Sequence, residues 1–369
     1  MQLRMLSSSE DGDFIDFWDY FSRFSIQICG LISTFRILTR KFESKSGSKK
    51  PKIDRNLFQQ QTLNMFEIRY IDRVTKKEEK EKVYGRVFIE ILYGKNVICR
   101  FLSFFLLPLV SKISFLSHLY GSFQKSLLSR RKIKAFIQTY HIDTSEFLDP
   151  VSSFRSFNDF FIRRLKPECR PIANGNDVAI LPADARYLFY SNIQKADGFV
   201  VKGKKFDLEK LIRNPCLSHK YAQGSMVLAR LCPVDYHRFH FPCNCVPEQA
   251  QLINGPLYSV NPMALKKNID LLTENKRMIT LLHTKSFGTV LYIEVGATYV
   301  GSIRQTYVPQ EHYAKGDEKG YFSFGGSCLI LLFEPFRIEF DHDLLEASHR
   351  NIEIRGLLGQ SMGRALTPL

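Results

Sequence analysis

A chain of 369 residues with 44% hydrophobic and 24% charged residues has the make-up of a folded protein, one large domain or two modest ones. Its formal charge of +15 draws it to anionic partners, nucleic acid or acidic lipid, and the lack of zinc-finger spacing or an RNA-binding aromatic signature sets nucleic acid aside. The eight cysteines, at 29, 99, 169, 216, 232, 243, 245 and 328, follow no framework, which excludes a disulfide-stapled scaffold and leaves reduced thiols on a cytoplasmic face.

Residues 1–64 read as an extension unlike the rest. An acidic start (Glu10, Asp11, Asp13, Asp16, Asp19) argues against a mitochondrial transit peptide. The apolar stretch Phe24 to Phe35 is short of the roughly 20 residues a spanning helix needs. A basic Ser/Lys-rich run to Arg55 follows, and Met65 opens a segment that reads like a natural beginning. Residues 65–150 read as a helical, membrane-associating region. Within it Val97 to Leu116 is almost long enough to span, but Arg100, Pro108 and Lys112 suit a helix lying in the membrane plane; the plainer reading is a buried helical hairpin. Ser129 to Tyr140 has helical spacing and a basic face. Residues 151–369 read as a β-rich core. From Ile180 onward come short β-rich runs: YLFYS, GFVVKG, MVLARL, MITLLH, a long run from Thr289 to Ile303, CLILLFE and FRIEF, separated by Gly, Pro, Asn and Asp. The expected fold class is α+β, a helical membrane-facing N-terminal part with a largely antiparallel β core.

Three segments of the core offer chemistry. Asp184, after Pro182 in an apparent turn, suits a local cap as well as an acid that orients a histidine. His237 and His240, with Asp235, Tyr236 and Arg238, offer proton transfer near neutral pH, the two rings facing opposite ways on a strand or the same way in a turn or helix; a pair of structurally bonded histidines is the plainer reading. The same run offers His237, His240, Cys243 and Cys245 as zinc ligands. Four ligands within nine residues are sterically cramped, so no metal is expected. Third, Gly325-Gly326-Ser327 sits between two β-like runs, where the glycines allow backbone angles other residues resist. A serine hydroxyl there lies close to the preceding carbonyl and can convert that amide into an ester. For an isolated Gly-Gly-Ser a plain hairpin turn is the stronger reading. A lipase-type elbow is excluded because Leu329 stands where the last Gly belongs.

Taken in order, these segments resemble the phosphatidylserine decarboxylase family. The matching stretches are FNDFFIRRLKPECRPI (157–172), the PAD of 182–184, VKGKKFDLEKLI (201–212), RLCPVDYHRFHFP (230–242), LYSVNPMAL (257–265), FGTVLYIEVGATYVGSI (287–303) and KGDEKGYFSFGGS (315–327). The resemblance covers roughly residues 65–360. It implies a proenzyme that cuts itself between Gly326 and Ser327, giving a β chain ending at Gly326 and an α chain of residues 327–369. In the implied triad His240 takes the Ser327 proton and Asp184 holds the imidazole. The ester then eliminates to dehydroalanine, which hydrolyses to ammonia and an N-terminal pyruvoyl group. That pyruvoyl, derived from Ser327, is the implied cofactor: it forms a Schiff base with the serine amine and accepts electrons as CO2 leaves. His237 is the implied proton donor, and phosphatidylethanolamine the product.

The resemblance further implies phosphatidylserine and an anionic membrane surface as partners, with peripheral attachment to the cytoplasmic side of the inner membrane, and it is compatible with a homodimer. Three positions depart from the family pattern: Ala185-Arg186 where Gly usually follows the Asp, Cys328 where Thr or Ser is usual, and Tyr299 in a variable place. Three other functions stay open on the sequence: a catalytically silent relative that binds anionic lipid, a zinc hydrolase, and a decarboxylase of a related serine phospholipid.

Overall fold

A computed structural model describes residues 68–82, 121–195, 207–265, 270–297 and 302–366. The extension 1–64, the segment Val97 to Leu116, the run GFVVKG and Tyr299 lie outside the described residues.

The apolar runs of the core become the middle of a ten-stranded sheet. Its order is Glu78–Lys80, Arg69–Asp72, Glu353–Gly356, Ala185–Tyr190, Ser225–Leu231, Ser327–Phe333, Thr289–Gly296, Arg277–His283 and Val246–Pro247, with Gln251–Ile253 also paired to Arg277–His283. All the pairings are antiparallel except that of Arg69–Asp72 with Glu353–Gly356. The Ser327–Phe333 strand is central and buried along its whole length, which is why it reads as a continuous apolar run.

Strand alternation splits its side chains between two cores. Leu329, Leu331 and Phe333 join one core with Tyr187, Val227, Tyr292 and Phe322; Cys328, Ile330 and Leu332 join the other with Leu228, Ile293 and Val295. Two three-stranded sheets complete the β structure. One orders Ile303–Gln305, Glu318–Phe322 and Arg238–His240; the other orders Ile338–Phe340, Ser361–Ala365 and Val178–Ile180. The molecule is therefore a mixed α+β fold around a large antiparallel sheet.

Within the stretch read from sequence as helical, 65–150, residues Arg69–Lys80 instead form a β-hairpin at the sheet edge. The helix at Ser129 to Tyr140 is present as a 3-10 turn, Leu127–Arg130, and an α-helix, Arg131–Tyr140, that buries Ile133 and Phe136. Among the described residues no helix is long and apolar enough to cross a membrane.

The 31 Phe residues of the chain have a structural use. Phe136, Phe147, Phe154, Phe157, Phe160, Phe161 and Phe324 form one buried cluster. Burying each ring contributes about 1.5–3 kcal/mol, and edge-on contacts such as Phe157–Phe324, at 5.3 Å, add about 0.5–1.5 kcal/mol. The cluster anchors the short helix Phe157–Phe161, whose first turn is capped by Ser156 Oγ accepting the Asp159 N–H at 3.1 Å.

Candidate active site

Ser327 opens the central strand, opposite Gly296 on one side and Leu231 on the other, and is fully buried. Being odd-numbered, its side chain shares the face of Leu329 and Leu331. There its Oγ meets His237 Nδ1 at 3.4 Å. On the other side of that ring, Nε2 bonds the Cys232 carbonyl at 2.8 Å. A carbonyl only accepts, so Nε2 carries the proton and the Nδ1 lone pair faces the serine. Phe161 stacks on the ring, centroids 3.8 Å apart. Burial, with the Arg163 and Arg186 guanidiniums nearby, pushes the His237 pKa down to about 3 against the pull of the Cys232 carbonyl. The ring is neutral at ordinary pH.

The peptide that precedes Ser327 is held as tightly. The Gly326 carbonyl accepts the Ala297 N–H at 3.1 Å, so a donor already points at the oxygen where negative charge would develop on attack. Gly325 has φ +145, a conformation that favours glycine, whereas a Cβ on Gly326 would meet only ordinary contacts from Ala297 and Val260. The unusual backbone is thus one residue upstream of the carbonyl. Asn158 Oδ1 accepts the Phe324 N–H at 3.0 Å, and Ser302 Oγ pairs with Ser323 Oγ at 2.9 Å, fixing the approach to the turn.

His240 lies three residues on, at the end of the Arg238–His240 strand, and its ring is engaged differently. Nδ1 bonds the Gly316 carbonyl at 2.9 Å, so the lone pair is on Nε2, which is buried with no hydrogen-bond partner. Burial lowers its pKa, while Gly316, Glu318 and Asp184 act in the opposite direction. Asp184 is held by other groups: Arg170 Nε and Nη2 at 3.0 and 2.7 Å, and the Leu358 N–H at 2.9 Å. The structure therefore brings Ser327 and His237 together. Asp184 reaches His240 through its charge, with no hydrogen bond between them, and the ring on Ser327 is not the one the sequence reading paired with it.

Arg170 also bonds the half-exposed Glu146, at 3.0 and 3.1 Å, making it the hub between that carboxylate and the buried Asp184. Removing one partner of such a pair strands a buried charge and typically costs about 3–5 kcal/mol. Arg170→Met in the Ser327→Ala chain should lose stability on that scale in chemical denaturation; an unchanged midpoint would show that Asp184 is satisfied without it.

The flagged departures find places. Cys328 faces the opposite core from Ser327, and Arg186 pairs with Asp235 and lies over the Tyr70 ring at 4.9 Å. Cys243 and Cys245 pack into the core of the Ser327 face, and among the described residues no three His, Cys, Asp or Glu side chains are grouped to hold a metal ion. Sequence reasoning missed Ala297, Asn158, Phe161 and Arg170 as site residues. Ala297 acts through its backbone and leaves no signal in side-chain type; the other three sit in the 157–172 stretch, whose apolar and basic residues look like ordinary packing.

Comparison with known proteins follows the same residues. The family model described as phosphatidylserine decarboxylase matches residues 157–363. The chain is 50% identical over 296 residues to the phosphatidylserine decarboxylase proenzyme of Chlamydia pneumoniae, covering 80% of this chain and 97% of that relative. It is 49% identical to the proenzyme of Chlamydia felis (strain Fe/C-56), covering 82% and 99%, and 45% identical to that of Chlamydia muridarum (strain MoPn / Nigg), covering 81% and 97%.

Proposed function

This chain belongs to the phosphatidylserine decarboxylase family, and from that premise we propose that it is a proenzyme that cleaves itself between Gly326 and Ser327 and then converts phosphatidylserine to phosphatidylethanolamine and CO2. The observation that carries the proposal is the pairing at one buried point of the Ser327 hydroxyl with His237 Nδ1 and of the Gly326 carbonyl with the Ala297 N–H. The residues fit a pyruvoyl terminus: the side chain of Ser327 is fully buried and faces His237. When formed, that group supplies the electron sink that protein side chains lack.

His240 and Asp184 serve maturation in this reading. Support comes from the Nε2 lone pair of His240, buried and uncommitted, and from the Asp184 charge, which favours the protonated ring. His237 serves turnover, because the atoms of Ser327 stay beside it after the chain is cut. It is the proton donor in this reading: its Nδ1, which faces Ser327, delivers a proton taken up within the cycle to the carbon that CO2 has left. A second reading, favoured by the 3.4 Å contact, gives the Ser327 proton to His237 itself during cleavage.

Denaturing electrophoresis of the purified chain, the intact mass of the C-terminal fragment and CO2 release from phosphatidylserine test the proposal together. The expected fragment begins at Ser327 and is lighter than its unmodified sequence by nitrogen and hydrogen lost as ammonia, with oxygen unchanged. A chain that stays whole and releases no CO2 would instead be a silent lipid-binding relative.

The protein is further proposed to attach peripherally to the anionic cytoplasmic face of the inner membrane. Exposed Leu127 and Leu128, at 69% and 56%, stand among exposed Lys125, Arg130, Arg131 and Lys134, a short way in sequence after the apolar segment that ends at Leu116. Each cation near an anionic surface contributes about 1 kcal/mol, so changing all four to Gln should abolish flotation with phosphatidylserine vesicles at low salt. Undiminished flotation would assign attachment to other residues.

A further inference from the structure

The turn that carries His237 is clamped from two sides by charged side chains to which the reaction assigns no part. Asp235 N–H closes the turn on the Cys232 carbonyl at 2.9 Å, and Asp235 Oδ2 accepts the Cys232 N–H at 2.7 Å. The same Oδ2 takes a hydrogen bond from Arg186 Nη1, so a strand of the central sheet grips the turn through one carboxylate oxygen. From the other side Arg163 Nη2 donates to the Val234 and Asp235 carbonyls at 3.2 and 3.3 Å, while its guanidinium lies over Phe160 at 4.9 Å. Asp235, Arg186 and Arg163 are all buried, at 6%, 4% and 4% exposure.

The product of this clamp is the direction of one carbonyl. Cys232 O receives the Asp235 N–H and His237 Nε2, filling its two lone pairs. A carbonyl aimed at Nε2 admits only the tautomer with hydrogen there, which leaves the lone pair of Nδ1 on Ser327. A turn freed from Asp235 would let that carbonyl swing away, and the ring could then place its hydrogen on either nitrogen.

We propose that Asp235 and Arg186 are positioning residues for His237, fixing its tautomer and its aim at the Ser327-derived centre through the Cys232 carbonyl. The proposal rests on the reading that His237 serves turnover at that centre. It also gives Arg186, which departs from the family pattern, a defined task. A purely structural ion pair would affect stability and leave the tautomer alone.

The test uses the full chain. In the Ser327→Ala background, which stays whole, nitrogen NMR reads the two ring nitrogens of His237, its signal identified by its loss in His237→Gln. The parent should show hydrogen on Nε2 alone. Asp235→Ala should show exchange between tautomers in a protein whose circular dichroism is still that of the fold, and Asp235→Asn, whose amide oxygen can still accept the Cys232 N–H, should keep the parent pattern. In the matured enzyme Asp235→Ala should lower kcat for CO2 release by roughly 10²-fold with KM little changed, the scale of a small misplacement of a reacting group, and Asn should restore most of it. Arg186→Met, which keeps the Cys232 bond, provides the same readouts if Asp235→Ala does not fold. An unchanged tautomer and an unchanged kcat in these variants would overturn the proposal. If His237→Gln itself retains kcat, the underlying reading of His237 fails; if His237→Gln loses it while Asp235→Ala does not, only the positioning role fails.

Discussion

Ser327→Ala is expected to remain a single uncleaved chain that releases no CO2 from phosphatidylserine. Alanine has no oxygen to attack the Gly326 carbonyl, and no neighbour can stand in. Cys328 is next in sequence, but alternation sends its thiol to the opposite core among Ile330 and Leu332. Burial also pushes that thiol well above its ordinary pKa, so it stays protonated and unreactive. The substitution removes one oxygen from a packed strand whose backbone pairing is complete on both sides, so the fold should survive. Two bands on a denaturing gel of this variant would overturn self-cleavage at Ser327.

His240→Ala is expected to accumulate the full-length chain, whereas His237→Ala is expected to cleave and then turn over little substrate. Both rings are buried and each has one nitrogen committed to a backbone carbonyl, so each presents a single lone pair with a defined direction. They differ in surroundings. Burial lowers the pKa of His240, and the Gly316 carbonyl, Glu318 and Asp184 oppose that shift. His237 lies near Arg163 and Arg186, which disfavours holding one and suits it to pass a proton on within the cycle. General acid–base groups contribute about 10²- to 10⁴-fold, large enough to score on a gel and in a CO2-release assay. Because His237 is the ring in contact with Ser327, an intact chain in His237→Ala combined with normal processing in His240→Ala would reverse the assignment and give cleavage to His237.

Much of the core is legible in the sequence. The runs at 226–231, 278–283 and 328–334 are strands within a residue or so because buried sheet interiors demand unbroken apolar sequence. The edge hairpin Arg69–Lys80 was not legible: its outer strand is Glu78, Glu79 and Lys80, all exposed, and charged edge strands carry no apolar signature. Its parallel partner, Glu353–Gly356, lies at the far end of the chain, and no local pattern encodes such a pairing.

The sequence by itself determined the chemical parts: a serine behind two glycines, two histidines three apart, an aspartate in a turn, and an order of motifs that names the family. Only the tertiary structure decided which parts meet. Ser327 and His237 are 90 residues apart, one opening the central strand and the other just before the Arg238–His240 strand, so their contact depends on strand register and on the Phe cluster that seats Phe161 against the imidazole. Asp184 was legible as an acid, but its bonding to Arg170 and Leu358 depends on segments that approach it only in the folded chain. Local spacing can dictate which face of a strand a side chain takes, because alternation is a property of the backbone. It cannot dictate which distant side chain waits on that face, because packing between sheets sets that distance.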